Sequence, residues 1–384
     1  MSTTADKLNK LLNSKKDIKA ALIEKGRTPS DVLSTYADHI RAIETCPEDA
    51  LFLEELDPTM PSSLKWRFMC YGAGMYVAVA SDTDIVAYSA DGVKWEEAKL
   101  PNAADWFSVT YGDGKFVAVS GEANYAAYSY DGITWYPAAL PSSANWHSVK
   151  YANGRFVAAA YGSDAAAYST DGITWHPATM PSSTYWFAIG YGNGKFVAVS
   201  SGTKEAAYSI DGSTWTPATL PGAKNWRAVA YGNNKFVAVG NGSSGLACST
   251  DGVTWTTSEI PSDRWSSIVY DGTKFVALGE SNLVIYSTDG TTWNEGAMPK
   301  SGTWYALAYD GSKFIAVAYN SNIFITSNDG ITWSDPSRAT IIVDVNNQDV
   351  TEETVAAVAK ITATDDGAGN VTINITNISG ISVN

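Results

Sequence analysis

The chain has 384 residues, of which 45% are hydrophobic and 17% charged, with 14 tryptophans, 21 tyrosines and 32 glycines. That length can bury a large core in two or three domains, and the mixture favours strands and turns over helices. A formal net charge of -14 excludes broad binding to nucleic acid or an anionic membrane without a concentrated basic patch, which the sequence lacks.

The N-terminus lacks the apolar core of a signal peptide, and no run approaches a membrane span, so no membrane insertion is expected. Residues 5–24, ADKLNKLLNSKKDIKAALIE, place Leu8, Leu11, Leu12, Ile18, Leu22 and Ile23 at helical spacing, with Gly26 as a stop. TPSDVLSTYADHIRAI, with Thr28 or Ser30 as cap and Pro29 inside the first turn, predicts a second helix through Ile43. Two short helices bury little by themselves, so residues 1–45 read as a helical hairpin for assembly or attachment. LNKLLNSKKDIKAALIEKG followed by STYADHIRAI resembles the N-terminal helical segment of bacteriophage tail-fibre and baseplate-associated proteins. The resemblance implies a virion tail component, made in the host cytoplasm and exposed on the assembled particle. It further implies that the helices dock on other tail proteins.

Residues 46–336 carry an internal repeat. One Asp series runs Asp91, Asp131, Asp171, Asp211, Asp251, Asp289 and Asp329; four residues after each stands Trp95, Trp135, Trp175, Trp215, Trp255, Trp293 or Trp333. A second series, Trp66, Trp106, Trp146, Trp186, Trp226, Trp265 and Trp304, uses up the remaining tryptophans. Each unit divides into four short strands, as in WFSVTY, KFVAVS, YAAYS and ITWYPA of residues 106–138, separated by Gly/Asn/Asp turns. Four strands at this spacing predict an all-β fold, a seven-bladed β-propeller of four-stranded blades. LFLEELDPTMPSS, ahead of the first unit, aligns with the outermost segment of later units and competes with TWS at 332–334 to complete the last blade.

In YSTDGITW, residues 168–175, the Asp carboxylate can accept from turn amides and the Gly supplies a positive φ, while the Trp offers an apolar plate to its own blade. SYDGITW, STDGITW, SIDGSTW, STDGVTW and STDGTTW resemble a shortened Asp-box, the bacterial neuraminidase repeat; the first copy, SADGVKW, has Lys94 where Thr is usual. In that family the box joins the third and fourth strands away from the catalytic centre, so the resemblance implies a structural turn. It also raises glycoside hydrolysis, which in sialidases needs an arginine cluster, a Tyr–Glu pair and an acid Asp. Seven near-equal units show no specialised blade, and the chain is read as having no catalytic residues. A convergent Arg/Glu/Tyr cluster at the pore would reverse that reading.

Column comparison gives the binding candidates. The residue after each inner Trp runs Arg67, Phe107, His147, Phe187, Arg227, Ser266, Tyr305. Alternation puts it on the packed face, while its varied chemistry suits either a pore-rim ring or varied plugging of the central channel. The loops between second and third strands vary too, and Asn124, Tyr125, Asp164, Lys204 and Glu205 there suit a sugar or a protein edge. Glu122 and Glu280 also lie in such loops, where the plain reading is solubility. Cys46, Cys70 and Cys248 and the three histidines lack metal-ligand spacing, so neither a metal nor a cofactor is expected.

Residues 337–384 read as a small β-rich domain: ATIIVDV, KITATDD and NVTINITNI as strands, TEETVAAVAK as a short helix, DDGAGN as a hairpin turn. Its last strand suits pairing between subunits of a homo-oligomer. The sequence therefore points to a rigid binding scaffold whose partner is a host-surface glycan, a receptor or a neighbouring tail protein.

Overall fold

The structure is a computed structural model that describes residues 59–121, 123–241, 245–336, 342–344, 360–365 and 371–376. The chain divides into two compact units, Pro58–Asp335 and the remainder. In the remainder, Ile342–Asp344 pairs in parallel with Lys360–Asp365, which pairs antiparallel with Val371–Thr376. The helices expected in residues 5–43 and 351–360, and the turn at 366–370, lie outside the described residues or touch them only at Lys360, a strand residue. Among the described residues there is no α-helix.

Within Pro58–Asp335, the unit at 106–139 shows how the sequence makes its sheet. Trp106–Gly112, Lys115–Ser120, Tyr125–Ser129 and Tyr136–Ala139 lie side by side in chain order, each antiparallel to the next. The first two are joined by Asp113 (φ 48°) and Gly114 (φ 72°), the paired positive φ values of a tight hairpin turn whose twist matches the strands. KFVAVS, the second strand, is buried throughout, while the outer YPAA is mostly exposed. The outer strand begins at Tyr136, not at Ile133, because the Ile133 and Thr134 amides donate to the Asp131 carboxylate (2.9 and 2.7 Å) and are lost to the ladder. Residues 65–104 and 267–297 repeat this meander; between 146 and 259 the strands run unbroken from unit to unit as one eight-stranded sheet.

Neighbouring units share their cores. Val77, Val79 and Leu100 of the first unit pack with Trp106, Phe116 and Trp135 of the second, and the same mixing recurs in seven hydrophobic clusters. The turn Trp therefore packs between units and not only on its own. The inner tryptophans are the largest fully buried side chains among the described residues, and six of them donate their indole N–H to the carbonyl four residues earlier, as Trp146 does to Ser142 (3.1 Å). That bond satisfies the one polar group a buried indole carries.

The Asp–Gly turn fastens each unit to the one before it. In all seven, the turn Gly has a φ between 68° and 78°, and its amide donates to the Ser hydroxyl three residues back at 2.8 to 2.9 Å. A Cβ on Gly212 would lie 2.4 Å from Val157 of the preceding unit, and one on Gly92 would lie 2.1 Å from Ile315 of the last unit. The turn threonines Thr134, Thr174, Thr214 and Thr254 form parallel bridges to the preceding outer strand at Lys99, Ala139, Thr179 and Thr219.

The first unit thus packs on the last and the ring closes. Met60, Trp66, Tyr76, Ile315 and Phe324 share one cluster, and the Tyr76 hydroxyl donates to Asp310. Both segments proposed for closure take part: Met60 donates its amide to Asn322 (2.7 Å) and Leu64 bridges Ser321, while Ser334 and Thr326 exchange two backbone bonds (2.9 and 3.0 Å).

Candidate binding site

First strands from every unit line a central channel of about 400 Å³. In six units the pairing slips immediately after the inner Trp: Trp106 faces Ser120 and Ser108 faces Val119, leaving Phe107 as an extra residue. The same slip isolates Arg67, His147, Phe187, Arg227 and Tyr305. A β-bulge re-aims its extra side chain. It breaks the alternation that would send these residues to the packed face and turns them to the channel instead.

There they form a collar. Arg67 lies over the Phe107 ring (5.0 Å), Phe107 stacks on His147 (4.2 Å), His147 meets Phe187 (4.3 Å), and Arg227 lies over Phe187 (4.5 Å). Tyr305 packs on Tyr319 (5.0 Å), whose ring is also under Arg67 (4.8 Å). Ser266 leaves a gap, its hydroxyl turned to the backbone oxygens of Trp304 and Leu278. Tyr161 joins from a second strand, 5.2 Å from His147.

The electrostatics are lopsided. Arg67, Arg227 and Lys150 line the channel, and no Asp or Glu does. Burial, helped by the two guanidiniums, holds His147 down at about 3, so the ring is neutral at neutral pH. Burial also lowers Lys150 and raises the Cys70 thiol beside it. The Arg67 Nε donates to Ser81 (2.6 Å), but the Arg227 Nε is buried without an acceptor. Tyr305 donates to Glu280 (3.3 Å), which pairs with Arg264 (3.1 Å); burial first, then the Glu280 charge, raises the Tyr305 hydroxyl against the opposing pull of Arg227.

The loop candidates lie at the same end of the strands, where second-to-third loops pair with fourth-to-first connections, as Thr203 does with Lys224. Asp164, Lys204 and Glu205 are exposed. Asn124 is tied to Leu140 through its side chain (3.3 Å) and its carbonyl (2.9 Å), and Tyr125 packs against its own unit's core. None of these five touches the collar by a ring contact or hydrogen bond. Glu122 lies outside the described residues. Lys150 in the channel and Tyr161 and Tyr319 beside the collar are the residues of this candidate site that column reading misses. For Lys150 a signal exists: the fourth residue after each inner Trp runs Cys70, Thr110, Lys150, Gly190, Ala230, Val269, Ala308, with a single charge in seven.

A closed ring of antiparallel meanders about a channel is a β-propeller. Residues 181–295 match the family described as "DUF6242 beta propeller domain". Solved structures agree on the fold. Virginiamycin B lyase from Staphylococcus aureus is 15% identical at a TM-score of 0.63, covering 69% of this chain and 95% of that one. YCF48 bound to D1 peptide is 16% identical at 0.57, covering 75% and 99%. The WD40 β-propeller domain of Doa1 is 13% identical at 0.57, covering 71% and 96%. No curated protein matches the chain significantly.

Proposed function

We propose that this protein is a seven-bladed binding propeller without catalytic activity, carried on a bacteriophage tail by residues 1–45. Its collar end binds a host-surface glycan or receptor, or a neighbouring tail protein. One observation carries the binding reading: a bulge recurring at one backbone position turns unlike side chains to a common opening, while the rest of each unit is near-repetitive. Seven copies of the Asp–Gly turn and seven inner tryptophans support the blade count. The tail assignment rests on the resemblance of residues 8–43. YCF48 bound to D1 peptide offers a propeller that takes a peptide, while virginiamycin B lyase is an enzyme on the same fold, so the fold alone does not choose.

Glycan arrays and cell-binding assays test this reading, together with density around the chain in an intact particle. Binding to cells or glycans through the collar end supports receptor recognition. Tight binding to a tail subunit, with no glycan or cell binding, leaves a structural role on the particle. No binding by the collar end to any of these overturns the reading.

A second reading has a specific observation behind it, the approach of Arg227 to the Tyr305–Glu280 pair. It predicts glycoside hydrolysis, lost in Tyr305→Phe. Against it, Glu280 is held by Arg264, and burial disfavours a Tyr305 nucleophile. A fluorogenic sialoside assay decides: turnover abolished by that substitution would replace the non-catalytic reading.

A further inference from the structure

We infer that the channel behind the collar is an anion site, which takes a carboxylate or phosphate group of a small ligand between Arg67 and Arg227. The inference rests on the binding reading above and adds the chemistry of the ligand.

Three basic side chains and no acidic one line the channel. This is not the overflow of a basic surface, since residues 46–336 hold 16 Lys and Arg against 28 Asp and Glu. No acidic residue lines the channel, so its three basic side chains leave the wall with a net positive charge although the unit as a whole is acidic. A concave, low-dielectric wall lined by one sign of charge focuses the field and draws in the opposite ion.

Of these cations, Arg67 donates its Nε to Ser81, while Arg227 and Lys150 have no hydrogen-bond or ion-pair partner among the described residues. Arg227 makes no hydrogen bond or ion pair with any described residue; its Nε is buried without an acceptor, and its guanidinium rests on the Phe187 ring. Burial weighs on Lys150, and the group opposing it is the Cys70 thiol, not a carboxylate. Both residues are half-buried, and a cation with reduced hydration and no counter-charge is stabilised when an anion enters the channel beside it.

Geometry limits the ligand. Arg67 and Arg227 cap the two ends of the Phe107–His147–Phe187 stack, and both guanidiniums act on the half-buried His147 ring between them. Both guanidiniums border the channel, and the stack between them gives it a neutral aromatic wall. Lys150 lies three residues further along the His147 strand, about 10 Å at the usual rise. The channel volume of about 400 Å³ admits a small ligand, not a folded chain.

The test is isothermal titration of the full chain with inorganic phosphate and with glucuronate, using glucose as the neutral control. One anion per chain is expected to bind and glucose not. Raising ionic strength from about 0.01 to about 0.15 M should weaken that binding. Arg227→Gln should weaken it by roughly tenfold, a difference of about 1.4 kcal/mol. Lys150→Met should weaken it severalfold, and Lys99→Gln on the outer edge should leave it unchanged. Tighter binding of phosphate assigns a phosphorylated ligand, and tighter binding of glucuronate an acidic sugar. If wild-type protein binds neither anion, the inference is overturned whether or not the variants fold. Collar-dependent binding of a neutral glycan or a protein, indifferent to salt and to Arg227→Gln, would overturn the anion site and leave the binding reading standing.

Discussion

The two ends of each repeated unit are built on opposite rules. At one end the Asp–Gly turn is near-identical in every copy: Ser, Asp and Gly never change, and each turn Gly presses on the preceding unit. At the other, the bulge after the inner Trp recurs while its side chain changes from Arg to Phe to His to Tyr. The turn meets the same neighbour each time, so one solution serves everywhere. The collar residues meet one another across a shared opening, so their sum is constrained and each member is free. Repetition marks what holds the ring together, and variation marks the surface available to a ligand.

Substitutions can break or sharpen that contrast. Trp146→Ala removes a fully buried indole and should cost about 3–5 kcal/mol, measured by denaturant unfolding. Gly212→Val puts a branched side chain at φ 74°, against Val157, and should cost about 3 kcal/mol, lowering the melting temperature by roughly 2 °C per kcal/mol at this size. A melting point within 1 °C of wild type, on the order of 0.5 kcal/mol, would show that the turn is no fastener.

Asp171→Ala should cost about 1–2 kcal/mol by stranding the Ile173 and Thr174 amides. Burial opposes ionisation of Asp171, but those amides and the Ser169 hydroxyl outweigh it and hold the carboxyl at about 2, below its ordinary 3.8. A lowered folded-state value stabilises the protein above the unfolded value. The wild type should therefore lose its advantage over Asp171→Asn as pH falls from 3.8 towards 2, and a pH-independent difference would refute the carboxylate's part. At the collar, Phe187→Ala should cost about 1 kcal/mol or less, because its ring faces the channel on one side. A loss as large as that of Trp146→Ala would make the collar a packed plug instead of a surface.

Much of this was legible in the letters. Two tryptophan series and an invariant Asp–Gly mark the units, and the strand ends at Ser120, Tyr125 and Ser129 follow from alternation and turn residues. The start of the outer strand was not, because whether Ile133 pairs or caps depends on where the Asp131 carboxylate points. The column after the inner Trp stood out by its variety, yet its direction is set by a one-residue slip against the second strand, which periodicity does not encode. Tyr161 and Tyr319 reach the collar from the ends of second strands, beside His147 and Tyr305 of their own units, and only the Tyr319 contact with Arg67 depends on ring closure; no repeated column marks either residue.

Closure also fixes where the ring bears mechanical load. The entering segment is held at Ser321 and Asn322 and the leaving segment at Thr326, all within the last unit. Tension applied through the two ends would fall on a few backbone bonds there before it reached any buried tryptophan. The last unit would yield first under pulling, unzipping from the outside while the remaining sheets kept their shape.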